Sequence, residues 1–282
     1  MTALAPAPSR PVVRLRPGLL LAAVAVAFFA TAALWPALVT ARDPLAIDLT
    51  RVLEPPSWRH PLGTDPSGRD LYARIVHGAR DSLLIGVGAT ALGMSAAVVL
   101  GVLSGLSGRI LDGAINRFIE VLFAFPVLLL ALLFVAVFGP GPVTLVVAVS
   151  VGTAPGYARM IRGQVLAARG SGYVEAATAF GHSYPRVVAR HVFPNAMRPL
   201  AVATTLGVGQ SIVWASGLAF LGLGAAPPSS EWGALLDAGR AYMTHAWWLE
   251  VFPGVAVVGL ALSVTALGRA LQRRLEGTHH DG

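Results

Sequence analysis

Hydrophobic residues along this chain gather into six long stretches, which shorter polar or charged segments separate. Each stretch is roughly 18–25 residues long, the length that a helix needs to cross the hydrocarbon core of a bilayer. Glycine and proline inside these stretches are compatible with membrane helices, which tolerate both residue types. We therefore predict six membrane-spanning helices, at about 19–39, 82–106, 117–138, 142–161, 199–223 and 249–267.

The six predicted helices divide the chain into tails, an outer segment and a core. The first stretch is longer than the apolar region of a secretory signal peptide, so we expect it to stay in the membrane. The predicted divisions are a cytoplasmic tail at 1–16, the first helix at 17–41, an extracytoplasmic segment at 42–81, a core at 82–270 that includes a cytoplasmic loop at 162–198, and a cytoplasmic tail at 271–282.

Arginine placement predicts the orientation of these helices. All 21 basic residues are arginines, because the sequence contains no lysine. If the N-terminus is cytoplasmic, 14 arginines fall on the cytoplasmic side and 7 fall outside, where acidic residues are interspersed among them. Cytoplasmic loops of membrane proteins carry the excess of basic residues. We therefore expect an all-α membrane protein with six transmembrane helices and both termini in the cytoplasm.

The composition agrees with a membrane protein and excludes some functions. Hydrophobic residues make up 55% of the chain and charged residues 12%, whereas average soluble proteins carry about 25% charged residues. We attribute the net charge of +7 to cytoplasmic loops and not to a nucleic-acid surface. Without cysteine, the chain has no disulfide, thiolate nucleophile or cysteine-bound metal. Without lysine, it lacks the phosphate-binding lysine of a P-loop.

One short segment between the fourth and fifth stretches is basic and amphipathic, and at 173–195 it reads YVEAATAFGHSYPRVVARHVFPN. Its alanine-rich first half predicts a helix over 174–180 that stops at Gly181, because glycine tolerates the left-handed conformation. We expect Ser183 to cap a second helix and Pro194 to end it. Such a hairpin lies either on the membrane surface or against another protein.

The hairpin and three other segments resemble those of a known family. Its residues Glu175-Ala176-Ala177, Gly181, His191 and Pro194-Asn195 are similar to the EAA motif of ABC-importer permeases. The dipeptide, oligopeptide and nickel branch of that family is similar in the segments YARMIRGQVLAARGSGYVEAA, HPLGTDPSGRDLYARIVHGARDSLLIG and GLAFLGLGAAPPSSEWGALL. The run His-Pro-Leu-Gly-Thr-Asp resembles that of the C-type permease subunit. The resemblance covers about 16–275, with the motifs in the expected order.

This resemblance implies a type I importer-like fold that crosses the bacterial inner membrane several times. The chain would form half of the translocation pathway for peptides or related solutes such as nickel chelates. Its implied partners are a homologous second permease, one or two ATPase subunits, an extracytoplasmic solute-binding protein and membrane lipid, but no nucleic acid. It would catalyse no reaction and bind no cofactor or metal, since ATP and Mg²⁺ would bind to the ATPase subunits.

The resemblance also implies which residues couple the permease to the ATPase. The EAA segment would dock in a cleft of the ATPase, and closure of the ATPase pair would switch the permease from inward-facing to outward-facing. The residues assigned to this coupling are Tyr173, Glu175, Ala176, Ala177, Phe180, Gly181, His191, Pro194 and Asn195.

The fifth stretch carries a row of polar and small residues at helical spacing. We predict that this row lines the translocation path, because a polar side chain within the membrane tends to face water or a neighbouring helix. The alternative is ordinary helix packing through small residues and hydrogen bonds. The residues of the row are Thr204, Gly207, Gln210, Ser211 and Trp214.

The third stretch holds a candidate inner hinge. Arg117 and Glu120 are close enough to pair along a helix, and Pro126 favours a kink because it removes a backbone donor. The alternative is an anchored helix start with a static bend.

In the outer segment we predict a helix over about 68–81 that Ser67 or Asp65 caps. This helix either helps to close the outer mouth or simply leads into the second span. We expect His60 and His77 to form local hydrogen bonds and not to bind a metal.

Two other functions stay open from the residues alone. The segment GLSG at 105–108 matches the Gly-x-Ser-Gly pattern of rhomboid intramembrane proteases. Such catalysis needs a histidine beside Ser107 within the membrane, and no histidine lies in an apolar stretch. An ion-coupled secondary carrier usually relies on carboxylates in the membrane, and the centres of the stretches contain none.

Overall fold

The structure, a computed structural model, describes residues 17–277, which are almost entirely helical. Five helices are long and apolar enough to cross a membrane, and a bent pair makes a sixth crossing if it counts as one span. The predicted all-α membrane fold is confirmed. In the described part of the chain the helices are α1 (Pro17–Leu34), α2 (Leu71–Leu106), α3 (Arg109–Ala124), α4 (Val127–Phe138), α5 (Pro142–Arg169), α6 (Gly172–Ala179), α7 (Tyr184–Val187), α8 (Phe193–Met197), α9 (Leu200–Leu218), α10 (Trp232–Arg240) and α11 (Trp248–Gly277).

Short helical turns join some of these helices. Pro36–Leu38 and Leu49–Arg51 are 3-10 turns, and Val188–Val192 and Ala219–Leu223 are π turns. At the C-terminal end, α11 includes the first residues of the tail predicted at 271–282. The N-terminal tail predicted at 1–16 and the rest of the C-terminal tail lie outside the described residues.

The longest helices, α2 and α5, pack along each other, and glycines on α2 allow their close approach. A Cβ on Gly101 would lie 2.7 Å from the carbonyl oxygen of Ala158, and a Cβ on Gly105 would lie 2.7 Å from Val165 Cγ1. Small residues at such positions let membrane helices approach until their backbones nearly touch. The α2–α5 pair is therefore a rigid centre on which the other helices pack.

The helix predicted at 68–81 is not a separate element, because α2 runs without interruption from Leu71 for 36 residues. Its cap is Asp70, whose carboxylate accepts a hydrogen bond from the Ala73 backbone N–H at 2.8 Å. The prediction that Ser67 or Asp65 caps this helix is wrong. Asp65 is instead engaged by arginine side chains, which leaves Asp70 as the capping carboxylate.

His60 and His77 form the local contacts that we predicted. His60 Nδ1 lies 2.7 Å from Asp70 Oδ2, and His77 Nδ1 lies 2.9 Å from the carbonyl oxygen of Ala73. Arg42 also pairs with the Asp70 carboxylate. These bonds fasten the outer segment to the start of α2.

The third apolar stretch forms two helices with a sharp bend between them, so the prediction of one uninterrupted span over 117–138 is wrong. Helix α3 begins earlier, at Arg109, and the axes of α3 and α4 differ by 89°. Phe125 and Pro126 between them have extended backbone conformations. A proline disfavours the helical conformation in the residue before it and lacks an N–H for the helix ladder, which explains the break.

The outer segment folds together with the connection between α9 and α11 into a cap over the outer end of α2. Arg74 Nη1 donates to Asp65 Oδ2 at 2.6 Å, and both side chains are buried. Arg74 Nη2 also donates to the carbonyl oxygens of Ser229 and Pro228, at 2.5 and 3.2 Å. One buried guanidinium therefore joins three segments of the chain.

Two tryptophans and one glutamate complete this cap. Trp232 Nε1 donates to the carbonyl oxygen of Ile75 at 2.9 Å, and Trp248 Nε1 donates to that of Thr64 at 3.2 Å. The Glu231 carboxylate accepts bonds from two backbone N–H groups in the first turn of α10. Burial raises the pKa of the Glu231 carboxyl above its usual value. The cap is thus held together by a buried ion pair and by hydrogen bonds between its segments.

Candidate functional site

The cytoplasmic segment after α5 forms the helical hairpin that the sequence predicted, with α6 as its first arm. Helix α6 ends in a Schellman motif: the Gly181 N–H donates to the Thr178 carbonyl at 3.0 Å, and the His182 N–H donates to the Ala177 carbonyl at 3.2 Å. Gly181 has φ = +78°, in the left-handed region that this motif requires at its position. The glycine therefore terminates the first arm and sets the direction of the second.

The second arm does not end at Pro194, so that prediction is wrong. Helix α7 continues through the π turn at Val188–Val192 into α8, and Pro194 lies in the first turn of α8. A proline is tolerated in the first turn, where no donor is needed, and the wider π turn before it changes the hydrogen-bond pattern. Ser183 precedes α7 as predicted, but its side chain makes no capping bond.

His191 and Asn195 stabilise the turn between the two parts of the second arm. Asn195 Nδ2 donates to the His191 carbonyl oxygen at 2.6 Å, one turn earlier. The His191 ring lies with its centroid 6.4 Å from the ring of Tyr173 on the first arm, and equally far from that of His182. His191 therefore sits between the two arms of the hairpin.

The hairpin has one face toward the bundle and one face away from it. Ala177 is 7% exposed and belongs to a buried cluster with Val187 and Val192. Its side chain packs inward against the bundle, so it is not part of the exposed face of α6, and its assignment to coupling stays a prediction. The outward face, which we call the docking face, consists of Glu175, Ala176, Ala179 and Phe180, all exposed.

Phe180 dominates the docking face. Its side chain is 85% exposed at the tip of the hairpin, directly before the left-handed glycine. An aromatic side chain held away from the rest of its own chain is typical of an anchor that another protein buries. The small side chain of Ala176 beside it allows a partner to approach the helix closely.

Two hydrogen bonds attach the hairpin to the cytoplasmic end of α2. Arg169 Nη1, at the end of α5, donates to the Gly105 carbonyl oxygen at 2.6 Å. Tyr184 Oη, at the start of α7, donates to the Leu106 carbonyl oxygen at 3.4 Å. The end of α5 and the start of the second arm are therefore both fastened to the point where α2 ends.

The row predicted to line the translocation path divides into two groups. Gly207 and Ser211 are buried: Ser211 Oγ accepts a bond from Thr90 Oγ1 at 3.0 Å, and a Cβ on Gly207 would lie 2.8 Å from Tyr157 Oη. Gly207 and Ser211 therefore take part in packing between helices, which was the alternative to lining the path. Gln210 and Trp214 are exposed and Thr204 is partly exposed, so they stay available to a path between subunits.

Two of the candidate hinge residues lie on α3, before the break, and the third lies at the break. Arg117 Nη1 lies 3.2 Å from Glu120 Oε2, which confirms that the two can pair along a helix. This pair is exposed on α3 and lies within the helix, not at its start. Pro126 lies at the break itself.

In the described part of the chain, no histidine forms a hydrogen bond with Ser107. Its Oγ donates to the Leu103 carbonyl oxygen at 2.5 Å, and its backbone ends α2. Among residues 17–277, this hydroxyl bonds only to backbone carbonyls of its own helix end, and no base is placed to activate it. The protease interpretation therefore gains no support from the geometry.

Two polar networks in the structure were not predicted from the sequence. One is the buried Arg74–Asp65 pair of the outer cap, and the other joins Asp112 to Arg162 at the cytoplasmic side. The second pair spans fifty positions of the chain. No local spacing rule connects residues so far apart. A lone acidic residue just after the second apolar stretch was the available signal for Asp112.

A comparison with protein families decides between the open interpretations. The family described as "binding-protein-dependent transport system inner membrane component" matches residues 97–277, which is more than half of the chain. The chain belongs to this family. It is therefore an inner-membrane component of a transport system that depends on a binding protein, and the ABC-permease prediction is confirmed.

Named relatives of this permease are transport permeases. It is 38% identical to the probable D,D-dipeptide transport system permease protein DdpC of Escherichia coli strain K12, over 83% of this chain and 78% of that protein. It is also 38% identical to the di/tripeptide permease DppC of Pseudomonas aeruginosa, over 80% and 76% of the two chains. The glutathione permease GsiD of Pectobacterium atrosepticum is 38% identical, over 81% and 76%.

Solved structures share the fold of the permease. A chain of the MetNI methionine ABC transporter, in inward-facing conformations, matches with a TM-score of 0.60 and 19% identity, over 71% of this chain and 95% of that chain. An amino acid ABC transporter matches with a TM-score of 0.60 and 17% identity, over 72% and 94%. At such identities the likeness establishes the fold alone.

Proposed function

We propose that this permease forms half of a path that imports short peptides or peptide-like solutes, and that its hairpin receives the driving force from a separate ATPase. The observation that carries the proposal is the exposed docking face, fixed by the Schellman motif at Gly181 and dominated by Phe180. A second, homologous permease completes the path, and an extracytoplasmic binding protein delivers the solute.

The proposed cargo follows from the relatives. They are named for D,D-dipeptides, for di- and tripeptides and for glutathione, which all carry peptide bonds or closely similar groups. Gln210 and Trp214 suit such cargo as residues of the path, because an amide side chain and an indole offer weak polar contacts without a fixed charge. Chelated nickel remains in the proposal as the alternative cargo of the family branch.

The proposed energy source is ATP bound with Mg²⁺ on one or two kinds of partner subunit. A P-loop uses a lysine to contact the phosphates of the nucleotide, and this chain has no lysine. The permease therefore binds no nucleotide of its own in this proposal and catalyses no reaction.

The proposed coupling is mechanical. The ATPase holds Phe180 in an apolar cleft while Glu175 and Ala176 lie along its surface. Movement of the cleft displaces α6, and the displacement passes through α5, Arg169 and Tyr184 to the inner end of α2. Tyr173, His191 and Asn195 keep the two arms together during this movement.

Replacing Phe180 by alanine is expected to weaken ATPase binding roughly 30-fold, which corresponds to about 2 kcal/mol for a buried aromatic anchor. Because the side chain is 85% exposed in the single chain, its removal takes little from the fold of the permease. The measurement is retention of ATPase subunits on the immobilised permease, together with ATP hydrolysis that the binding protein stimulates. Phe180→Leu, which keeps an apolar side chain, is the control and should retain most binding. Wild-type retention of the ATPase by Phe180→Ala would contradict the proposal.

A further inference from the structure

A closed polar network joins three helices at the cytoplasmic side of the bundle. Arg162 on α5 donates from Nε and Nη2 to the two carboxylate oxygens of Asp112 on α3, each at 2.7 Å. Ser104 on α2 donates to Asp112 Oδ1 at 2.5 Å, and Asn116 on α3 donates to the same oxygen at 2.7 Å. A two-bond contact between guanidinium and carboxylate fixes both orientation and distance, which a single contact does not.

The network lies next to the attachment of the hairpin. Arg162 and Arg169 are on the same helix, about two turns or 10 Å apart. Arg169 bonds to the Gly105 carbonyl, directly after Ser104 of the network, and α6 begins shortly after Arg169. Helix α5 is continuous between Arg162 and Arg169, and the turn at Gly170 and Ser171 connects it to α6. A displacement of the hairpin therefore has only this two-residue turn to cross before it reaches α5 and Arg162.

Helix α3 is the element that this network can move. A short turn at Ser107 and Gly108 connects it to α2, and the hydrogen bond from Ser104 to Asp112 also attaches it there. Beyond the break at Pro126 it leads to α4. Its second half packs on α5 independently of the network, since Ile119 is buried and the Arg159 guanidinium lies 4.6 Å from the Phe123 ring centroid. In the first half of α3, Asp112 makes the polar attachment to α5, and Ile115 adds an apolar contact with the cluster that contains Ile161 and Val165.

We infer that Asp112 and Arg162 are a positioning pair for coupling, which makes the first half of α3 follow the hairpin when the ATPase moves it. The inference rests on the proposed function, because it requires that the hairpin is moved from outside the chain. With the pair intact, α6, the inner end of α5 and α3 move as one body. Without the pair, the hairpin moves but the first half of α3 does not follow it, so the distance between them changes.

The chain offers a direct measurement, because it contains no cysteine and two can be introduced as sites for nitroxide spin labels. Ile110→Cys on α3 and Thr178→Cys on α6 replace exposed residues on the two elements. The distance between the labels is measured in the full complex in lipid nanodiscs, with and without ATP. We expect ATP to leave this distance unchanged in the otherwise unaltered protein, and to shift or broaden it in Asp112→Asn.

Two further variants separate positioning from folding. The exchange variant, Asp112→Arg with Arg162→Asp, restores a pair of opposite charges and should return the distance toward an ATP-independent value. Arg109→Gln on the same helix changes an exposed residue outside the network and should have no effect. Transport relative to ATP hydrolysed should fall roughly 10-fold in Asp112→Asn, the change that 1.4 kcal/mol produces, while stimulated hydrolysis persists.

The inference is overturned if the distance changes with ATP when the pair is intact, or if Asp112→Asn behaves like the unaltered pair. It is also overturned if the only effect of Asp112→Asn is a smaller amount of assembled complex. Failure of the proposed function has a different appearance, since the unaltered complex would then contain no ATPase and show no hydrolysis that the binding protein stimulates.

Discussion

Replacing Gly181 by leucine should uncouple ATP hydrolysis from transport while the membrane bundle stays intact. Gly181 has φ = +78°, and an added Cβ would meet no atom within 4 Å, so the penalty comes from the backbone and not from a clash. For a residue with a Cβ, this left-handed conformation costs about 1–2 kcal/mol of conformational free energy. That is enough to lower the population of the native hairpin roughly 5- to 30-fold relative to alternatives. The Schellman bonds would then be lost, and Phe180 would point in another direction.

The measurement for Gly181→Leu is uptake of a labelled dipeptide mixture, compared with ATP hydrolysis in the presence of the binding protein. Gly181→Asn serves as the rescue variant, because asparagine tolerates the left-handed conformation better than leucine. Gly172→Leu is the matched control on the same hairpin, where an added side chain also meets open space but φ is not positive. Equal loss in Gly172→Leu and Gly181→Leu would contradict the conformational explanation.

Replacing Arg74 by methionine should destabilise the permease by about 3–5 kcal/mol, the usual cost of leaving one partner of a buried ion pair without the other. The side chains of Arg74 and Asp65 are 6% and 5% exposed, and the guanidinium also holds the carbonyls of Ser229 and Pro228. Its loss therefore disconnects the outer cap from α2. The expected result is a marked fall in the midpoint of thermal unfolding in detergent.

The matched control is Arg117→Met, which removes the same functional group from a pair with exposures of 80% and 55%. An exposed pair contributes about 1 kcal/mol or less, so the midpoint should scarcely move. Similar midpoints for Arg74→Met and Arg117→Met would show that the buried pair does not hold the cap.

Some features followed from the sequence because their causes are local. The number of apolar stretches and the helix stop at Gly181 are examples: span length and tolerance of positive φ are properties of a few neighbouring residues. The same reasoning placed Arg117 and Glu120 within reach of each other. Local chemistry was therefore sufficient for the first arm of the hairpin, for its stop at Gly181 and for the class of fold.

Other features depend on contacts between residues that are far apart in the sequence, and local patterns do not predict such contacts. A proline usually ends a helix, but the π turn before Pro194 allows the second arm to continue as α8. Gly207 and Ser211 share a helical row with Gln210, yet Thr90 and Tyr157 from other helices decide which of them is buried. The Asp112–Arg162 pair likewise arises only when α3 packs against α5. Tertiary packing settled each of these cases.

The central claim is that the docking face of the hairpin is held by a separate ATPase. Ala176→Cys places a unique thiol on that face, because the natural chain has no cysteine, and a photoactivatable cross-linker attached to it reports what lies beside the hairpin. In the complex purified from its native membrane, we predict a cross-link to a nucleotide-hydrolysing subunit, with a yield that changes when ATP is added. Cross-links to lipid alone, in a preparation without any ATPase, would contradict the account.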